Sequence, residues 1–332
     1  MSYFVGRRNN KTYKQDGSEQ YPFLIETAFD FVEFRNEIMN GNTFEGIHHK
    51  LVNDINLSGA NFNILIENRR YYGTFDGNFK TIDNFTIISS LNADNFGLFT
   101  NMQGVCKNLR VTNGLINRTG LSAASTFATG FIGSSCSLGT IERCSIQGTI
   151  ITPRGRAGGI CGYGNNTIIK NCFTNVSITM TATTNYGAAG INAEPAGSAK
   201  TENCISIGNI MTNTTSTGYN GGICGFYNAS LQNITIINCV AAMGSITGGV
   251  DAARIFPRTG AQLVNNYGLD TMTLKGVVPT INIGTTLLNG ASATVNQLKS
   301  KAFYRDVLGW DTETVWQIDD ENDFPKLRGF IY

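Results

Sequence analysis

Any chemistry on this chain has to come from few residues. Between Asn95 and Val250 the only acids are Glu142, Glu194 and Glu202. Glycoside hydrolysis needs two carboxyl groups roughly 5–10 Å apart. Glu142 precedes Arg143 and Glu202 precedes Asn203 at matching places of an alternating pattern, so a stack of strands would set them about 9–10 Å apart. That spacing suits an inverting hydrolase and equally a solvated surface pair. Lyase chemistry needs a basic side chain beside acids that hold Ca²⁺. Arg154 and Arg156 share a segment, but no acid cluster is near them in sequence. The run Asp319-Asp320-Glu321-Asn322-Asp323 offers oxygen donors to Ca²⁺ without the spacing of an EF-hand loop, and reads as a solvated turn. His48 and His49 are the only histidines. Neighbours on a strand face opposite ways, which argues against a shared metal or a triad. No CxxC pair suggests zinc, and no glycine-rich loop opens a helix to hold a phosphate. The expectation is no catalytic residue, no metal and no cofactor.

Tyr163, Tyr186, Tyr219 and Tyr227 recur beside glycine-rich blocks. Such a row can stack on sugar rings or cover corners as packing. They are the candidate ligand-binding residues.

What must position these groups is a repeat about 30 residues long. Each copy carries a small-residue block, as in Gly130-Phe131-Ile132-Gly133, Gly158-Gly159-Ile160-Cys161-Gly162 and Gly221-Gly222-Ile223-Cys224-Gly225. Each also carries an alternating block, as in Ile141-Glu142-Arg143-Cys144-Ser145-Ile146, Ile169-Lys170-Asn171-Cys172-Phe173 and Ile237-Asn238-Cys239-Val240. Alternation with period two is a strand signal. In stacked coils equivalent residues lie on one another. Asn84, Asn108, Asn171, Asn203 and Asn238 then form an amide ladder at turns, with Arg143 standing in one copy. Cys144, Cys172, Cys204 and Cys239 form a ladder of buried free thiols, because parallel Cα–Cβ vectors do not suit a disulfide. Thr/Ser/Asn/Gly-rich segments at 117–128, 152–157, 180–187 and 211–220 leave the coils as loops.

The ends differ from the repeats. Thr27 as N-cap with Asp30 three positions on, followed by Ala28, Phe31, Phe34, Arg35 and Ile38 at helical spacing, predicts a short helix ended by Gly41. Val295 to Leu308 reads as a second helix. Both tryptophans, Trp310 and Trp316, follow it, and with Phe324 predict an aromatic closing cap. The division is an N-terminal arm at 1–20, a cap with the first strands at 21–70, repeats at 71–270 and a C-terminal cap at 271–332.

Net charge is +1 with 15% charged residues, so nucleic acid and acidic lipid gain nothing from bulk charge. No segment reaches the ~18 apolar residues of a membrane span. Met1 to Asn10 has no apolar core of a secretory signal, which suggests a protein folding where it is made.

Gly73-Thr74-Phe75-Asp76-Gly77-Asn78 through Ile87, then Asn95-Phe96-Gly97-Leu98-Phe99, resembles the opening of GLUG-type repeat proteins. Ala157 to Gly162 and the ending Leu308-Gly309-Trp310-Asp311 to Leu327 are similar to theirs as well. The resemblance covers roughly residues 20–330. It implies a right-handed parallel β-helix of bacterial surface proteins or phage appendages, and it brings no catalytic residues with it. The expected fold is thus an all-β, single-stranded β-helix with short capping helices. The expected function is non-enzymatic: a structural or adhesive component of a virion, made in the host cytoplasm. Its basic arm (Arg7, Arg8, Lys11, Lys14) would dock on other virion or surface proteins, and its flank would meet a cell-surface glycan, as a monomer or a homo-oligomer. A polysaccharide-degrading enzyme and a bacterial surface adhesin are the alternatives.

Overall fold

The computed structural model describes residues 15–60, 69–90, 95–120, 128–183, 186–226, 233–320 and 322–332. Its strands wind into a parallel β-solenoid. Ser145–Thr152 lies between Val105–Arg118 and Phe173–Met180, and Phe173–Met180 pairs onward with Ile205–Thr212, all in parallel. One coil shows the plan. A short strand (Arg156–Gly158) meets a glycine turn, then come Cys161–Asn165, Ile168–Lys170, a corner at Asn171, and the long strand Phe173–Met180. Along the long strand Val176, Ile178 and Met180 are buried while Asn175 and Ser177 are exposed, the period-two alternation the sequence carries. One continuous core runs from Ile25 to Met272.

The glycine turn is where successive coils come closest. A Cβ on Gly159 would sit 2.1 Å from the Gly190 carbonyl oxygen, and one on Gly222 would sit 2.2 Å from that of Arg254. No side chain fits there, which is why the small-residue block repeats.

The Asn corner is αL in every coil. Asn108, Asn171, Asn203, Asn238 and Asn265 have φ between 51° and 54°. Asn tolerates this region where other residues cost about 1–2 kcal/mol. Their amides link coil to coil: Asn203 Nδ2 donates to Asn171 Oδ1 (3.4 Å), Asn238 to Asn203 (3.2 Å) and Asn265 to Asn238 (3.0 Å). Arg143 holds the same corner at φ 51°. Asn84 does not belong to this ladder. Asp83 pairs with Thr112, so Asn84 falls at the next corner, donating to Asn56 Oδ1 at 3.1 Å. The ladder position of that coil lies near Asn78 and Phe79, where the register shifts between Asp76 and Lys80. Alternation looks alike on both sides of a corner, so sequence pattern alone misplaced the first copy.

Cys144, Cys172, Cys204 and Cys239 stack inward, continuing Leu109 and ending on Asn266. Asn266 accepts from the Cys239 N–H (2.9 Å) and donates to the Ile236 carbonyl (2.8 Å). All eight cysteines are free and buried. Burial pushes the thiols of Cys106, Cys172 and Cys204 well up, and that of Cys224 up to about 12.

The N-terminal end is closed by helix α1 (Ala28–Met39), with the Thr27/Asp30 capping box in place. Phe31 packs edge-on to Phe75 at 6.5 Å, and Phe34 reaches His49, Tyr71 and Phe99.

The C-terminal segment departs from expectation twice. Val295 to Leu308 is not one helix. A 3-10 turn (Gln297–Lys299) and a π-helical turn (Phe303–Val307) flank Ser300, which is extended. Nor does the segment plug the end. It runs back along the flank as a strap, from Tyr267 (5.0 Å from Phe303) to Phe79 (5.5 Å from Phe330). Trp310 donates to the Asn238 carbonyl at 3.0 Å and stacks on Trp316 at 4.4 Å. The last coil is instead latched by buried Arg254, which donates to the carbonyls of Asn289, Leu269 and Gly290 and to Ser292.

Candidate functional site

The connections from the long strands to the glycine-flanked strands that are described end to end leave one edge of the solenoid. They occupy 153–155, 213–218 and 248–250. Length varies from three residues at 153–155 to six at 213–218, whereas the Asn corner keeps its shape from coil to coil. Length variation is tolerated where the backbone leaves the stack, because only loop-closure entropy changes. The expected loops at 152–157 and 211–220 fall on this edge, and those at 117–128 and 180–187 lie partly outside the described residues.

Three of the four candidate tyrosines lie beside it, each against an arginine. The Arg156 guanidinium is 5.1 Å from the Tyr163 ring centre and 5.3 Å from that of Tyr186. Arg156 is buried and ion-paired with buried Glu194. One coil column along, Arg258 lies 4.0 Å over Tyr219 and 5.6 Å from Phe226, and donates to the Tyr219 hydroxyl. Tyr227 lies outside the described residues. The tyrosines are half-buried and locked by cation–π contacts worth roughly 0.5–2 kcal/mol each. Their rings are thus held on a rigid frame, with part of each surface left to solvent.

The acids weighed for catalysis have other partners. Lys50, Asp76, Lys107, Glu142, Lys170 and Glu202 occupy one column in successive coils, alternating in sign throughout. Lys170 approaches Glu142 at 3.2 Å, Lys200 approaches Glu202 at 2.6 Å, and Lys107 lies 3.9 Å from Asp76. Glu142 and Glu202 therefore flank a lysine rather than an open space. Sequence pattern missed this ladder because its members sit in blocks whose spacing varies with loop length. In the acidic run, Asp320 accepts from the Lys301 amide and Asp323 pairs with Lys326 at 2.5 Å, both within the strap; Glu321 lies outside the described residues. Among the described residues no group of three His, Cys, Asp or Glu could hold a metal ion. His49 is buried behind α1, its Nδ1 3.1 Å from the Tyr71 hydroxyl. Burial, then the charge of His48, lowers its pKa to about 3. Among the described residues no helix is long and apolar enough to cross a membrane.

No model of a known protein family matches the chain, and no curated protein does. A solved structure shares the fold: a Bacteroides ovatus protein described as a "putative immunoglobulin A1 protease". The likeness has a TM-score of 0.74 at 22% identity, over 95% of this chain and 94% of that one. It is a likeness of architecture.

Proposed function

We propose that this chain is a non-enzymatic β-helix that presents a receptor-binding surface, as a component of a virion or a cell surface. The observation that carries this reading is the edge where connections of varying length converge beside Arg156, Tyr163 and Tyr186 and beside Arg258 and Tyr219. A rigid stack that varies at one edge is how a scaffold offers many contacts without reordering. Tyrosines already fixed by arginine lose little entropy on binding, and their rings and hydroxyls suit a glycan or glycoprotein receptor. The resemblance to GLUG-type repeat proteins favours the same class. The polysaccharide-degrading alternative loses support from Lys170 standing between Glu142 and Glu202. The protease name of the structural neighbour stays with that protein.

The test is a glycan and glycoprotein array read with labelled protein. Receptor signals should fall at least tenfold in Tyr186→Ala or when 213–218 is replaced by a two-residue linker, with far-UV circular dichroism unchanged. Signals indifferent to both changes would overturn the edge as the binding surface. Release of reducing ends or unsaturated products from a polysaccharide panel, or cleavage of immunoglobulin A1, would overturn the non-enzymatic reading.

A further inference from the structure

A second site lies on the flank, apart from the loop edge. A groove of about 570 Å³ is lined by Asp54, Asn56, Asp83, Arg110, Asn113 and Gln147, among others. It shares Arg110 and Gln147 with a second hollow of about 290 Å³ that reaches Asn175 and, from the strap, Phe324 and Tyr332. The two make one trough. Its floor is an outward column along the solenoid axis: Asn56 pairs with Asp83, Asp83 with Thr112, and Gln147 with Asn175. At about 4.8 Å per coil, Asn56 to Asn175 spans about 19 Å.

These side chains are held ready. Asp83 accepts from Thr112 Oγ1 (2.7 Å), Asn113 Nδ2 (2.8 Å) and Asn84 Nδ2 (2.9 Å). Asp54 Oδ1 accepts from the Thr81 amide at 2.7 Å. Arg110 is pinned by the Ile331 carbonyl and by the Tyr332 ring, 4.5 Å away. The trough therefore sets amides and a hydroxyl beside the carboxylates of Asp54 and Asp83, with Arg110 and an aromatic edge alongside.

We propose that this trough binds an uncharged carbohydrate chain lying along the solenoid axis. Carboxylate and amide groups in rows form charge-assisted bonds to hydroxyls, and the repeat of coils matches a repeating ligand. Asp54 and Asp83 in its open part disfavour uronates, sulfated sugars and phosphates, because the cations of the lining are engaged already, Lys326 by Asp323 and Arg110 by Ile331 and Tyr332. A peptide strand has no place, because the strands under the trough already pair coil to coil.

The test is calorimetric titration of the full chain with cellohexaose, maltohexaose, chitohexaose and mannohexaose, and with oligogalacturonate as the charged comparison, all in EDTA. At least one neutral hexasaccharide should bind, with oligogalacturonate at least tenfold weaker. The surface changes Asp54→Ala and Gln147→Ala should each weaken it severalfold, and Gln147→Trp, which fills the trough, should abolish it. Tyr186→Ala should leave it unchanged, which separates this site from the loop edge. Absence of neutral binding, preference for oligogalacturonate, or sensitivity to Tyr186→Ala but not to Gln147→Ala would overturn the proposal.

Discussion

One outward column of the flank has two halves with opposite chemistry. In the early coils it reads Asp54, Thr81, Arg110, Ser145; in the later ones Phe173, Ile205, Val240, Tyr267. The later half is roofed by the strap, whose Leu298, Phe303, Tyr304, Trp310 and Trp316 share a core with Phe173, Ile205 and Val240. In the earlier half Ser145 is buried, while Asp54, Thr81 and Arg110 line the trough, which only the tail of the strap borders. The backbone of both halves is the same paired strand. Side chains alone decide which part of a solenoid face becomes interior and which stays available to a ligand.

Stripping the roof gives the largest effect. Removing 295–332 bares Phe173, Ile205 and Val240 and leaves a contiguous apolar patch of the kind that drives association. The truncated chain should aggregate and bind the dye ANS. A monodisperse, dye-silent product would break the comparison. The milder Trp316→Ala should cost about 3–5 kcal/mol in denaturant unfolding, as deletion of a buried aromatic does.

The end nearest the open half should answer to pH. His49 is neutral in the fold, its pKa lowered to about 3, against about 6.5 when unfolded. Below pH 6.5 the unfolded chain takes up a proton that the fold refuses. The stability is whole above pH 6.5 and falls as pH drops toward 3, by about 2 kcal/mol between pH 6.5 and 5. His49→Gln should flatten that part of the profile; an unchanged slope would place the titration elsewhere.

The charge ladder gives a smaller effect. Lys170→Glu sets three acids in successive coils at Glu142, 170 and Glu202. These groups are about a third exposed, so the loss should be about 1 kcal/mol, reduced by 0.5 M salt. A salt-independent loss would point to packing instead. Smallest is a gain. Arg143→Asn relieves an αL arginine and completes the amide ladder between Asn108 and Asn171, which should stabilise by about 1 kcal/mol on thermal unfolding.

The coil was legible because stacking copies its own constraints into sequence: glycine where coils touch, Asn where φ is positive, Cys and Ile inside. The α1 cap was legible from Thr27 and Asp30, whose bonds are local. Asn84 was misplaced because period-two alternation carries no mark of which corner interrupts it. The strap was legible as aromatic but not as flank-hugging, since Trp310 meets Asn238 across 72 residues and no local pattern encodes that distance. The tyrosine row was visible; its arginines were not, because Arg156 and Arg258 sit in unlike blocks. The trough was invisible, because its members come from five coils and become neighbours only through register.

Both tryptophans lie in the strap, so their fluorescence reports its seating alone. Trp310 and Trp316 are 2% and 0% exposed, and native emission should be blue-shifted. Ile205→Asp puts a carboxylate into the seat; it should shift the emission to the red while far-UV circular dichroism keeps its strand signal. A solvent-like native emission, or an emission unmoved by Ile205→Asp in a folded solenoid, would contradict a strap seated on the apolar half of the flank.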